Sequence, residues 1–226
     1  MSGTHGSSGA ITPFWDERYG APGYLFGEAP NRFLQGLAQL LKPGWETLAV
    51  ADGEGRNGVW LAAQGLHVHA VDGSPVAQDK ARVLAVKQGV ALVEAENAVP
   101  PDKGSLRLEV VDLFAWDWPA ARYDLAVAVF IQFAPPDKRP RMIEGIKQSV
   151  KPGGLLILQG YTPKQVEYGT GGPSDPAQLY TEAMLREWFG AWDILHLREH
   201  EDEIAEGAGH AGRSALVDLV ARKPGA

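Results

Sequence analysis

The stretch Leu48-Ala49-Val50-Ala51-Asp52-Gly53-Glu54-Gly55-Arg56-Asn57-Gly58 constrains the fold more than any other part of the chain. A short apolar run leads into a glycine-rich turn. A helix-compatible segment, Val59 to Gln64, follows and stops at Gly65. Next comes His67-Val68-His69-Ala70-Val71, a second apolar run that ends on Asp72. Strand, glycine turn, helix, strand and terminal acid compose the first half of a nucleotide-binding α/β unit. Glycines in the turn reach positive φ and let the backbone approach a ligand closely. Asp72 stands about 20 residues beyond the turn, the spacing at which an acid takes the hydroxyl pair of a ribose.

Two ligands fit this unit. Gly53, Gly55 and Gly58 satisfy G-x-G-x-x-G, and a dinucleotide pyrophosphate would sit on the following helix N-terminus. The same turn carries Asp52 and Glu54, whose carboxylates would repel a pyrophosphate, with only Arg56 opposing them. S-adenosylmethionine has no phosphate; it has an ammonium, a sulfonium and a carboxylate, and a mixed-charge turn suits it better. The turn therefore favours S-adenosylmethionine over a dinucleotide.

Composition narrows the partners. The chain has 226 residues, 45% of them hydrophobic, which is one ordinary domain with a full core. Residues 1–10 are small and polar and read as a disordered tail; residues 11–226 form the single domain, with 11–30 as an arm or lid. No apolar run approaches the ~18 residues of a membrane span, and the start lacks the pattern of a signal peptide. With no cysteine there is no disulfide and no thiolate metal ligand or nucleophile, which fits a cytoplasmic setting. A formal charge of −7 disfavours nucleic acid and acidic membranes as partners.

Along the chain, Phe14-Trp15-Asp16-Glu17-Arg18-Tyr19-Gly20 opens an aromatic arm that runs through Tyr24 and Phe26 to Pro30. It serves either as a fixed brace or as a lid, with Trp15 or Tyr24 on an apolar face and Arg18 on a carboxylate. Asn31 caps a helix with Phe33, Leu34, Leu37, Leu40 and Leu41 on one face. Ser74 and Pro75 start another helix, which runs to about Gln88. Val90 to Val93 could form a short strand, and 97–104 is a loop. Leu106 to Val111 is a strand ending on Asp112, a second acid at the same sheet edge, placed to accept from an adenine amino group. Tyr123 to Ile131 is almost continuously apolar, as a central parallel strand is. A helix burying Met142, Ile143, Ile146 and Val150, the turn Lys151-Pro152-Gly153-Gly154 and strand Leu155 to Leu158 follow. A long loop over 160–180, a helix capped by Thr181 and two strands, Asp193 to Glu199 and Ser214 to Arg222, close the chain. The expected fold is α/β: a single doubly wound, Rossmann-like, mostly parallel seven-stranded sheet with an antiparallel C-terminal edge strand.

Glu54-Gly55-Arg56-Asn57, Asp72, Asp112, Lys151-Pro152-Gly153-Gly154 and the terminal strand pair fall in one order, and over residues 14–223 the chain resembles a class I S-adenosylmethionine-dependent methyltransferase. Trp15-x-x-Arg18-Tyr19 and the 53–57 turn resemble the small bacterial tellurite-resistance and thiopurine (thiol) methyltransferases. The resemblance implies a cofactor site of Trp15, Arg18, Ala51, Asp52, Gly53, Asp72, Gly73, Asp112, Leu113 and Phe130. It places the substrate-side candidates Gln132, Phe133, Tyr161 and His210 beside it, with no metal. It implies a small-molecule methyl acceptor, with a thiol or a selenium or tellurium species favoured. The chain departs from the family at Ala49, usually an acid, and at Ala51, usually glycine. Gln132-Phe133-Ala134-Pro135-Pro136 lacks the Asn/Asp-Pro-Pro-aromatic motif of base methylation. No acid–base dyad stands out; His200 and His210 are the histidines near the terminal hairpin, and a His67/His69 metal pair lacks a third ligand. A nicotinamide-dependent oxidoreductase and a non-catalytic S-adenosylmethionine-binding protein are the alternatives.

Overall fold

The computed structural model describes residues 11–94 and 103–225. The tail over 1–10 and most of the loop expected at 97–104 lie outside the described residues. Helix α1 (Ile11–Tyr19) leads through the rest of the arm to α2 (Arg32–Gly36). The αβ units are β1 (Glu46–Val50), α3 (Arg56–Ala63), β2 (His67–Asp72), α4 (Pro75–Lys87), β3 (Ala91–Leu92), β4 (Ser105–Val110), β5 (Tyr123–Val129), α5 (Arg139–Ser149) and β6 (Val150–Tyr161). Short α6 (Gln165–Tyr168), α7 (Glu182–Phe189), β7 (Asp193–Ala205) and β8 (Ala211–Arg222) complete the chain.

One sheet of eight strands runs β3-β4-β2-β1-β5-β6-β8-β7. The expected count of seven is one short, because residues 91–92 pair with Ser105 and Leu106 at the far edge. The antiparallel strand is also not the edge. β8 runs against β6, and β7 folds back outside it, so β7 forms the edge and runs with the parallel set. The apolar content of the two strands accounts for this order: β8 is buried from Ser214 to Ala221 and takes the inner position, whereas the charged, mostly exposed β7 lies on its outer side. β7 and β8 are longer than their sequence patterns, since hairpin pairing from Asp193 to Ala205 carries the strands through charged residues.

The alternating side chains of β5 show the layers. Ala126 and Ala128 face a core with Met142, Ile143 and Ile146 of α5 and Leu185 and Phe189 of α7. Leu125, Val127 and Val129 face the other core, with Leu34 of α2, Val59 and Leu61 of α3 and Leu84 of α4. Helices on both faces bury nearly all of the central parallel strands β1, β2 and β5. The helix expected over 31–41 breaks: Asn31 caps α2 by accepting from the Leu34 N–H at 3.0 Å, and after Gly36 only a 3₁₀ turn, Ala38–Leu40, continues. Part of the expected 160–180 loop is ordered as α6 and a second 3₁₀ turn, Pro176–Gln178.

Two glycines test this packing. A Cβ on Gly145 of α5 would meet Trp118 ring atoms at 2.4 Å, whereas one on exposed Gly36 meets nothing within 4 Å. Gly145→Ala should destabilise by about 1–3 kcal/mol through overpacking. Gly36→Ala should stabilise by about 0.4–1 kcal/mol by restricting the unfolded chain. Urea unfolding of both variants checks the pair, and equal effects would contradict the packing.

Candidate active site

The direction of chain travel reverses at the centre of the sheet: β1 leads to β2 on one side, and β5 lies on its other side. Open α/β sheets hold ligands outside the carboxyl ends of the strands at such a point. A cleft of about 710 Å³ lies there, within the range of small-molecule sites. Trp15, Arg18, Ala51, Asp52, Gly53, Asp72, Gly73, Asp112, Leu113 and Phe130 all line it, as do Gln132, Phe133, Tyr161 and His210.

The floor is two turns in the left-handed region. Ala51, after β1, has φ 48°, and Phe130, after β5, has φ 55°. Such a conformation costs a non-glycine residue on the order of 1–3 kcal/mol. Alanine at 51 thus occupies a backbone state suited to the glycine it replaces in the family pattern. Gly53 and Gly55 also have positive φ, and a Cβ on Gly53 would lie 2.8 Å from the Tyr19 hydroxyl.

Two buried carboxyls stand at the cleft. Asp72 accepts the Gly53 N–H on Oδ2 at 2.9 Å and the Ser74 N–H on Oδ1 at 2.8 Å. These bonds lock the β1 turn to the end of β2. Asp52 turns back to accept the Gly58 N–H at 3.0 Å, and a Cβ on Gly58 would sit 2.4 Å from Asp52 Oδ2. Burial raises Asp52 to about 7, with the Asp72 charge adding and the Gly58 bond opposing. Burial raises Asp72 to about 6 against three backbone N–H bonds. Asp112 accepts the Phe114 N–H at 2.9 Å, so it both caps the following turn and lines the cleft.

One charge of the turn points elsewhere, which corrects the sequence-based electrostatics. Glu54 faces away from the cleft: it pairs with Lys80 at 2.9 Å and accepts the Leu25 N–H at 2.7 Å. Lys80 also donates to the carbonyls of Ala21, at 2.8 Å, and Gly23, at 2.6 Å. Glu54 therefore anchors the arm and does not set the charge met by a ligand. Arg56 lines the cleft and opposes the buried Asp52 carboxyl, as the sequence suggests, but its direct partner is Glu206, beside the β7–β8 turn, at 2.7 Å. Arg18 lies over the Phe14 and Trp15 rings, 5.4 and 5.1 Å from their centroids, and pairs with no carboxylate among the described residues.

On the side of the cleft assigned from sequence to substrate, Phe130 stacks on Tyr161 with centroids 4.6 Å apart and meets His210 edge-on at 4.3 Å. Phe26 of the arm packs 4.3 Å from the same imidazole. Burial, with Arg56 and Arg18 nearby, pushes His210 down to about 3, and its Nδ1 has no hydrogen-bond partner. Gln132 lines the cleft, but its amide is committed: Nε2 donates to the Tyr161 carbonyl at 2.7 Å and Oε1 accepts the Tyr161 N–H at 2.6 Å. It clips the end of β5 to the end of β6. His200 lies outside the cleft lining and bonds Asp218 at 2.7 Å. His67 bonds Ser105, His69 bonds Tyr123 and Glu109, and no metal-binding cluster occurs among the described residues.

Residues 48–154 match the family model of the methyltransferase domain. Comparison with curated proteins returns no match. Among solved structures, the chain is similar to one described under the conversion of a disulfide bond into a thioacetal group during echinomycin biosynthesis: 17% identity, TM-score 0.73, covering 95% of this chain and 92% of that one. It is similar to the N-methyltransferase NodS from Bradyrhizobium japonicum WM9 in complex with S-adenosyl-L-homocysteine, at 11% identity and TM-score 0.68, covering 94% and 98%. TehB from Haemophilus influenzae gives 17% identity and TM-score 0.66, covering 94% and 66%. At these identities the likeness establishes the shared fold.

Sequence reasoning missed Glu206 and Lys80, which carry no motif, and read Asn31 only as a helix cap; their hydrogen bonds across the fold reveal the rest. Two tests follow from the site geometry. Gln132→Ala should cost about 1–3 kcal/mol, because the buried Tyr161 N–H loses its side-chain partner; chemical denaturation measures it. The second concerns pH. With their values raised from 3.8 to about 7 and about 6, Asp52 and Asp72 hold protons in the fold that the unfolded chain has released. They therefore reduce stability as pH rises from about 4 to about 7. His210 and His69, pushed down to about 3 and about 4 from 6.5, act oppositely: their contribution is lost as pH falls below the unfolded value. Asp52→Asn should therefore gain stability relative to the parent protein between pH 5 and pH 8. An equal difference at both pH values would contradict the assignment.

Proposed function

We propose that this chain is an S-adenosylmethionine-dependent methyltransferase acting on a small molecule, with a thiol or another soft selenium or tellurium nucleophile as acceptor. The cofactor is carried by one observation: the cleft at the strand reversal joins the Ala51–Gly53 turn, the buried Asp72 carboxyl and the unpaired Arg18 guanidinium. Asp72 would hold the ribose, Asp112 the adenine amino group and Arg18 the methionyl carboxylate. Asp52 and Asp72 favour a ligand with cationic groups over a pyrophosphate, and this places a dinucleotide second. When bound, the cofactor supplies a methyl group whose bond to sulfur breaks as the bond to the acceptor forms.

The acceptor class rests on His210. A general-base histidine is normally oriented by a third group and has a pKa near the working pH. His210 has no partner on Nδ1, is wrapped by Phe26, Phe130 and Tyr161, and is held neutral far below neutral pH. It is a poor acceptor for the proton of an amine or a phenol. A thiol, with pKa about 8.5, ionises partly without help. The work left to the protein is alignment and exclusion of water, which Phe130, Phe133 and the 171–173 loop at the cleft supply. The sulfur chemistry named for the echinomycin-related structure is in keeping with such an acceptor.

The arm contributes in two ways. Residues 21–25 are braced by Lys80 and Glu54 and form the fixed part; α1, ahead of Gly20, forms the lid, closed over the cleft by the Asp16–Ser74 bond at 2.5 Å and the Tyr19 ring.

Calorimetry should show binding of S-adenosylmethionine and S-adenosylhomocysteine and none of NAD; the reverse pattern would sink the proposal. Asp72→Ala should weaken cofactor binding by about 1.5–3 kcal/mol, the worth of a hydrogen bond to a charged group. Hydrogen exchange across 11–19 should slow with cofactor, whereas 21–25 should be protected with and without it. A labelled-methyl assay over thiols, chalcogen oxyanions, phenols and amines decides the acceptor. Turnover confined to phenols or amines and abolished in His210→Ala would replace the thiol with a base-assisted substrate.

A further inference from the structure

Glu206 is 6% exposed and belongs to the turn between β7 and β8. Its Oε2 lies 2.7 Å from Arg56 Nη1 at the start of α3. Its Oε1 accepts from Asn31 Nδ2 at 3.1 Å and from the Arg32 N–H at 3.0 Å. Its backbone N–H donates to the His210 carbonyl at 2.7 Å. One carboxylate thus ties the cofactor turn, the end of the arm and the His210 turn. Around it, Asn31 Nδ2 also donates to Gln159 Oε1 at 2.6 Å, and the Asn31 N–H donates to Asn57 Oδ1 at 2.9 Å.

Arg56 lines the cleft and Glu206 does not. Without the carboxylate, the buried guanidinium at the cleft would be opposed by Asp52, whose carboxyl burial has already raised to about 7. The Arg56 charge reaches His210, whose ring touches Phe130, so it acts on the same wall that a bound methyl donor would meet. A buried charge whose partner is removed is strongly felt, because low-dielectric surroundings screen it poorly.

We infer that Glu206 is a positioning residue that sets the preference for the cationic methyl donor over its neutral demethylated product, by cancelling the charge of Arg56 at the cleft. The inference rests on the cofactor reading above. S-adenosylmethionine and S-adenosylhomocysteine differ by one methyl and one positive charge. A purely structural loss at Glu206 weakens both alike. A charge effect weakens only the sulfonium form.

The test is calorimetric titration of both ligands into the full-length parent protein, Glu206→Gln and the double variant Arg56→Gln/Glu206→Gln, with thermal unfolding of each. Glutamine keeps the shape and the Asn31 and Arg32 contacts but removes the charge. Glu206→Gln should raise the ratio of donor Kd to product Kd roughly tenfold, the order expected for one poorly screened charge. The double variant should return the ratio to the parental value, even where both affinities fall. If Glu206→Gln does not fold, Arg56→Gln leaves a net negative group and should move the ratio the opposite way. A ratio unchanged in whichever single variant folds, or one that the double variant does not restore, overturns the inference alone. A parent protein that binds neither ligand overturns the cofactor assignment and this inference with it.

Discussion

The parallel pairing of β1 with β5 is the constraint on which the rest of the structure depends. Thr47, Leu48 and Ala49 stand opposite Leu125, Ala126 and Val127, and both strands are buried on both faces. Their residues are small and apolar because helices cover each side. The chain leaves β1 toward β2 and comes back to β5 on the opposite flank, so the loops after the two strands diverge. The cleft is the gap between them, and the left-handed Ala51 and Phe130 form its floor. Strain at two adjacent strand ends persists because the sheet and its helices over-determine the backbone there.

Around that gap the protein spends its buried polar groups on joints between segments. Asp72 joins the β1 turn to β2, Gln132 joins β5 to β6, Glu54 and Lys80 join the arm to α4, and Glu206 joins arm, α3 and terminal hairpin. Each is buried or nearly so and takes hydrogen bonds from backbone or side chain, as a desolvated polar group must. The cleft walls are consequently held by directional bonds as well as by packing. On the aromatic wall, His210 Nδ1 and the Tyr161 hydroxyl are among the exceptions, without a hydrogen-bond partner. Burial keeps both groups neutral: it raises Tyr161 and lowers His210. The cleft thus has buried carboxyls on one wall and neutral aromatics on the other.

The terminal hairpin has a second part in this design. β8 pairs with β6 deep in the sheet, and β7 lies outside as a long, charged edge. Charges along an edge strand discourage pairing with another sheet. Glu201 on β7 is held by Lys164, Tyr168 and Arg213, which draw its carboxyl down to about 2. The hairpin is thereby fixed at its outer side as well as at the 206–210 turn. The turn can then carry His210 and Glu206 to the cleft in a defined position, although both lie far along the chain from the glycine turn they serve.

Much of the protein was legible in the sequence. Glycine spacing, apolar runs and strand-terminal acids are local properties, and they determined the alternating αβ order, the turn after β1 and the placement of Asp72 and Asp112 at one sheet edge. Ser74 and Thr181 showed their helix starts because a cap acts within three residues. What only the tertiary structure decided is which partner each polar group finds. Glu54 and Arg56 read from sequence as opposing charges at a ligand; in the fold Glu54 meets Lys80 and Arg56 meets Glu206, 150 residues away by number (206 − 56). Gln132 reads from sequence as a substrate-side residue; the fold places it at the cleft and also makes its amide a backbone clip. The inner place of β8 and the eighth strand likewise depend on pairing across the sheet. Periodicity records which face a residue turns, but a charge or an amide is settled by the nearest group in space, and that proximity exists only once the sheet has closed around it.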